Sequence, residues 1–275
     1  MADTELLRSV VPQEDGWYCV VGLMDGKPPI QTFHKTLHEV EQEADRLVAY
    51  KRNAFFGCGM FKTEDSREAD NCGWMQSFFL DIDCGPTKAA PDKYGRIKGY
   101  IDQATGMQAV KDLCKGLNLP KPTIVDSGRG WHVYWPLTES VEASKWLPVA
   151  HTFKARCKEL NIIIDPDVPA DAARVLRIPG TKNFKDDPAH DVVLMPVMCT
   201  VPRYGLYPSS RLAGTPTNSH YRQTRLIRRG YSSSCQCRRI HLFSVEVVPY
   251  RHPTYSGISG RMSTFHNLSG RQHHL

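Results

Sequence analysis

A chain of 275 residues, 41% of them hydrophobic, can bury a real core and allows one or two domains. No apolar run approaches the ~20 residues that a bilayer crossing needs. The opening MADTELLRSVVPQEDG also lacks the cationic-then-apolar pattern of a secretory signal, so membrane and exported classes are set aside and a soluble, cytoplasmic protein is expected. The net charge of +6 is unevenly placed. Residues 206–275 hold ten arginines, no lysine and one acid, Glu246, a local charge of +9, so the preceding 205 residues sum to −3. Nine cysteines are scattered without a C-x-x-C pair, which favours reduced thiols over disulfides or a structural zinc.

In chain order, GWYCVVGLM (16–24) predicts a strand ending in the turn Asp25-Gly26-Lys27-Pro28. Leu37, Val40, Ala44, Leu47 and Val48 then recur at helical spacing opposite a row of acids, with Thr36 as N-cap. A second strand is expected at 54–62, where Gly57 and Gly59 mark a bulge or close approach, and a third at 77–84. The basic stretch 85–99 reads as a loop, 104–116 as a helix, 122–128 as a short buried strand and 131–137 as the strand that returns from it. Ser140 or Thr138 would cap a helix over 141–160. NIIID (161–165), RVLRI (174–178) and DVVLMPV (191–197) read as further strands. Strands alternating with a few helices indicate an α/β or α+β domain with a mixed or antiparallel sheet.

Three stretches carry chemistry. In FFLDIDCG (78–85), Asp81 and Asp83 project from one face of a strand, roughly 7 Å apart. Charges that close repel, and hard oxygens of this kind suit Mg²⁺ or Mn²⁺; the alternative is a strand end with two solvated aspartates. In SGRGWHVYW (127–135), Gly128 and Gly130 free the backbone to approach a phosphate, Arg129 adds charge, and His132 can donate to a phosphate oxygen. Taken alone this could also be a glycine-rich hairpin. In NIIIDPDVPADAARVLRIPGTKNFK (161–185), Asp165 follows an apolar run, and Arg174, Arg177 and Lys182 are phosphate-binding types; the alternative is a turn beside a solvated strand edge.

The combination resembles the catalytic core of the archaeo-eukaryotic primase superfamily, the primase-polymerases, whose pattern is an acid-x-acid strand, a small-x-His strand, and a third acid followed by arginines. Asp81 and Asp83 match the first motif, His132 the second, and Asp165 with Arg174 and Arg177 the third. RVLRIPGTKNFK looks like the phage and plasmid form, and the resemblance covers roughly residues 15–200. Gly130 stands where the family's second motif has serine, so a serine contact to the triphosphate must come from Ser127 or be absent. Asp167 and Asp171 compete with Asp165 for the third place.

What the resemblance implies is template-directed nucleotidyl transfer. Asp81, Asp83 and Asp165 would hold two divalent ions, Mg²⁺ or Mn²⁺. His132, Arg174 and Arg177, together with Arg129, Ser127 and Lys182, would clamp the nucleoside triphosphate. The partner is single-stranded DNA template, with the loop carrying Lys88, Lys93, Arg96 and Lys98 as one contact or, equally, a solvated loop. No Walker motif occurs, so a replicative helicase would be a separate protein. The setting implied is the cytoplasm of a prokaryotic or infected host cell.

Two domains follow: a catalytic domain over 1–205 and a basic tail over 206–275, expected to be disordered. The tail reads either as an arginine-rich nucleic-acid-binding arm or, favoured by its loss of lysine and acids, as translation out of the ancestral frame. Other classes stay open. A D-x-D transferase or nuclease does not predict R-V-L-R-I-P-G-T, while a non-catalytic replication-initiation or DNA-binding protein with a degenerate core would bind DNA without turnover.

Overall fold

The computed structural model describes residues 2–196; the basic tail from 206 and the end of the 191–197 strand expectation lie outside the described residues. The elements run α1 Glu5–Val10, β1 Tyr18–Leu23, β2 Ile30–His34, α2 Leu37–Ala49, β3 Asn53–Gly57, β4 Gly59–Phe61, β5 Cys72–Asp83, α3 Pro86–Ala89, α4 Gln103–Gly116, β6 Thr123–Asp126, β7 Gly130–Glu142, α5 Ala143–Glu159, β8 Val175–Arg177, β9 Lys182–Asn183, β10 His190–Asp191 and β11 Val193–Leu194. Strands β2-β1-β3-β8 form one sheet and β11-β6-β7-β5-β4 a second, with β10-β9 as a small hairpin. Every ladder is antiparallel. The α+β architecture, antiparallel sheets flanked by helices, is the one expected.

The chain passes from one sheet to the other at Cys58, between β3 and β4, and its amide is satisfied by the Arg174 carbonyl at 2.8 Å. Gly59 is small because β5 passes close: a Cβ there would sit 2.5 Å from Cys72 Sγ. Between the sheets Phe56 stacks on Tyr134 at 6.3 Å. Trp146 of α5 stacks on Phe78 and Phe79 of β5 and donates to the Ser77 carbonyl at 3.0 Å. Helix α2 opens with a capping box, Thr36 and Glu39 each satisfying the other's amide.

Several elements differ from the sequence reading. β5 begins at Cys72, five residues early. β7 runs on to Glu142, because Val141 and Glu142 pair with Met75 and Trp74 after a register shift. Ser140 therefore caps no helix; its hydroxyl donates to Gln76 across the sheet at 3.3 Å, and α5 starts only at Ala143. NIIID is not a strand. The Ile162, Ile163 and Asp165 amides go to three unrelated acceptors, the Cys157 carbonyl, the Tyr100 hydroxyl and the Asp81 carbonyl, so no ladder forms. The expected 191–197 strand is split between the hairpin and the second sheet by Val192, whose amide goes to Thr181.

Candidate active site

Antiparallel register builds the first contact. Asp81 on β5 lies directly opposite His132 on β7, and Asp83 opposite Gly130. Directly opposed residues share a face, so the carboxylate and imidazole meet, with Asp81 Oδ1 and His132 Nε2 4.0 Å apart. Gly130 is required at this register, since a Cβ there would run into the Ile82 carbonyl. Its backbone at φ +153° is also one that side-chain-bearing residues rarely adopt.

Burial sets the protonation of both partners. His132 is 1% exposed. Burial, and then the charge of Arg177, pushes its pKa down to about 3, so the ring is neutral at physiological pH. The Asp81 side chain keeps 28% of its surface open. Burial of its carboxyl, followed by the charges of Asp83 and Asp165, pushes its pKa up to about 7, while Arg177 and Lys88 pull the other way.

Arg177 reaches the site from the other sheet, where it pairs with Phe55 on β3. Its guanidinium lies 4.9 Å from the Phe55 ring centroid and donates to Asn53 Oδ1 at 3.4 Å and Asn183 Oδ1 at 3.1 Å. Asn183, fully buried, also donates to the Ser127 carbonyl at 2.8 Å, joining the glycine loop to the arginine strand. His132 Nδ1 and Arg177 Nε are buried without hydrogen-bond partners. Burial first, and then the like charges of Arg177, Lys88 and Arg129, hold Lys185 below the usual lysine range, with Asp83 opposing. A cluster of cations therefore borders the carboxylates.

The expected phosphate ligands are distributed unevenly. Arg129 shares the field of Arg177 and pairs with Asp186 at 3.3 Å. The Ser127 hydroxyl donates to the Gly130 carbonyl at 3.1 Å, within its own turn. Arg174 pairs with Asp171 at 3.3 Å and donates to the Asp167 carbonyl at 2.6 Å. Lys182 lies on the outer hairpin, paired with Asp191 at 2.5 Å. Lys185, three residues on, and the two asparagines were not singled out by sequence. The run TKNFK held the signal for Lys185 and Asn183, whereas nothing local marks Asn53.

Asp165 sits beside Asp81, its amide 3.4 Å from the Asp81 carbonyl. Its carboxylate accepts from the Asp167 amide at 3.0 Å, and Asp83 is held by Lys88 Nζ at 2.6 Å. Among the described residues no three His, Cys, Asp or Glu side chains are gathered closely enough to hold a metal ion. The donor chemistry nonetheless fits one. Three carboxylates suit a hard cation, and burial of Asp81 together with the charges of Asp83 and Asp165 raises its pKa, a cost that a bound cation would relieve.

No protein-family model matches the sequence, and no curated protein matches it. Solved structures do. The AEP domain of the primase-polymerase of cyanophage S-2L aligns with a TM-score of 0.51 at 17% identity, over 74% of this chain and 89% of that one. The primase RepB' aligns at TM-score 0.41 and 12% identity, over 66% of this chain and 51% of that one. Its catalytic domain in complex with initiator DNA gives 0.41 and 13%, over 66% and 77%. The chain shares the fold of the cyanophage AEP domain. Among the described residues, no helix is long and apolar enough to cross a membrane.

Proposed function

We propose that the chain carries out template-directed nucleotidyl transfer, as a DNA primase or primase-polymerase that makes primers on single-stranded DNA. The observation that supports this best is the convergence of Asp81, His132 and Arg177, from three separate strands of two sheets, with Asp83 and Asp165 alongside. Mg²⁺ or Mn²⁺ held by Asp81, Asp83 and Asp165 would supply activation of the attacking 3′-hydroxyl and stabilisation of the departing pyrophosphate.

The chain's own groups do the rest. Arg177, fixed by two asparagines and an aromatic face, is organised before any ligand arrives, so little reorganisation is needed as charge grows on the phosphates. Lys185 and Arg129 extend that cationic wall. The neutral His132 ring carries a single N–H, which donates to a phosphate oxygen without adding charge beside Arg177. A separate helicase would open duplex DNA for this activity.

The test is synthesis on circular single-stranded DNA with nucleoside triphosphates and Mn²⁺. New strands are expected from the wild type and none from Asp81→Ala/Asp83→Ala; wild-type levels from that variant overturn the assignment. One observation favours a second reading, a non-catalytic replication-initiation protein: the three carboxylates are neighbours but are not gathered as a metal-holding group. Under that reading the wild type retains DNA and makes no product.

A further inference from the structure

Beyond the acids lies a groove of about 1080 Å³ whose walls include Asp83, Lys88 and Asp165 but not His132, Arg129, Arg177 or Lys185. One wall is α5, where His151, Lys154 and Lys158 recur at spacings of three and four and so share a face. Arg96 and Lys98 of the 85–99 segment, which share the acid Asp92, line it as well. Apolar lining comes from Ile97, 51% exposed, and from Ile162, Ile163 and Ile164. A groove lined by cations and apolar side chains together suits a single nucleic-acid strand, whose phosphates need cations and whose base faces need apolar surface.

We propose that this groove holds the growing strand, the one whose 3′-hydroxyl attacks, and that Lys154 and Lys158 contact its phosphates. The assignment rests on the nucleotidyl-transfer reading. In that reaction the 3′-oxygen bonds to the α-phosphorus, the bond from that phosphorus to the bridging oxygen breaks, pyrophosphate leaves and the hydroxyl proton goes to solvent. Attacking and leaving oxygens lie in line, on opposite sides of the phosphorus. Arg177, Arg129 and Lys185 provide for the leaving side. The groove shares only the acids and Lys88 with that cluster, which leaves it to the attacking side. A strand whose end must reach the acids fits a groove that they wall; a template only passes by.

The test uses the full chain, the exposed double variant Lys154→Ala/Lys158→Ala and, as control, Arg156→Ala, whose side chain pairs with Glu159 on α5. Thermal melts verify folding. Binding of a fluorescent primed hairpin is followed by anisotropy across salt concentrations, and extension kinetics give KM for the nucleotide. The double variant is expected to bind about tenfold more weakly, with a salt slope shallower by roughly 1.4, at unchanged nucleotide KM; the control should match the wild type. A 4-thiothymidine near the primer 3′-end should crosslink within 151–158. Unchanged affinity and slope in a double variant whose wild type extends primers overturn the groove alone, as does crosslinking of this segment to the template strand. A wild type that binds the hairpin through these lysines but extends nothing overturns the nucleotidyl-transfer reading, and the growing-strand assignment with it.

Discussion

Asp81 and His132 occupy directly opposed positions of the β5–β7 ladder, their Oδ1 and Nε2 atoms 4.0 Å apart, and burial drives their pKa values in opposite directions, to about 7 and about 3. The shared environment disfavours charge on both. Near neutral pH the imidazole is uncharged and the carboxyl is close to half protonated.

This has a measurable cost. A carboxyl whose folded pKa is raised favours the folded state below its unfolded value near 3.8, and that contribution is lost as pH climbs through about 7. Asp81→Asn should therefore stabilise the metal-free protein at pH 8 by roughly 1–3 kcal/mol and do almost nothing at pH 4. Thermal melts in chelator at the two pH values check this; equal gains at both would show that the charge is not the cause.

Lys88 neutralises Asp83 through a 2.6 Å ion pair. A divalent cation held by Asp83 would compete with that ammonium for the same oxygen. Lys88→Met should tighten Mn²⁺ binding severalfold, by about 1 kcal/mol, as read by titration calorimetry. Weaker binding would mean that the lysine helps to shape the site.

Asn183 is expected to act as a positioning residue for Arg177. Its Oδ1 accepts from Arg177 and from the Lys185 amide, and its Nδ2 donates to Ser127. Asn183→Ala should cost about 2–3 kcal/mol of stability by leaving buried groups unpaired and should raise nucleotide KM about tenfold. A stability loss with unchanged KM would reduce it to a structural role.

At Gly130 a methyl group meets the Ile82 carbonyl, whereas at Gly95 nothing lies nearby. Gly130→Ala should cost about 2–4 kcal/mol and Gly95→Ala about 1, the latter from its positive φ alone. Urea denaturation of the two variants gives the comparison.

How far the sequence could be read depended on where each element finds its hydrogen bonds. Helix α2 announces itself by apolar spacing and the N-cap Thr36, whose side chain does cap, and α4 by apolar spacing, with the structure adding Asp102 as its cap. The cores of β1, β5 and β7 show as β-branched and aromatic runs. Strand β2, IQTFH, is short and half exposed, and it exists because β1 offers it a ladder. The apolar run 162–164 looks like a strand but has no neighbour to pair with. In the site, strand alternation alone puts Asp81 and Asp83 on one face, whereas His132 joins them through the β5–β7 register. Arg177 and Arg174 could not be told apart by sequence, because their surroundings come from β3 and from the turn at Asp171. Lys182 and Lys185 differ only through the hairpin that pairs one of them with Asp191.

The 85–99 segment leaves and rejoins the molecule at one place: the Gly85 amide bonds to the Tyr100 carbonyl at 2.8 Å, and the Tyr100 amide to the Asp83 carbonyl at 2.9 Å. Such a detour is self-contained. Its outer portion can be lengthened, shortened or exchanged while both ends stay clasped at the acidic strand, because loop closure costs little more as a loop grows. Here a descendant could acquire a new preference for the polymer it handles without rebuilding the centre that handles it.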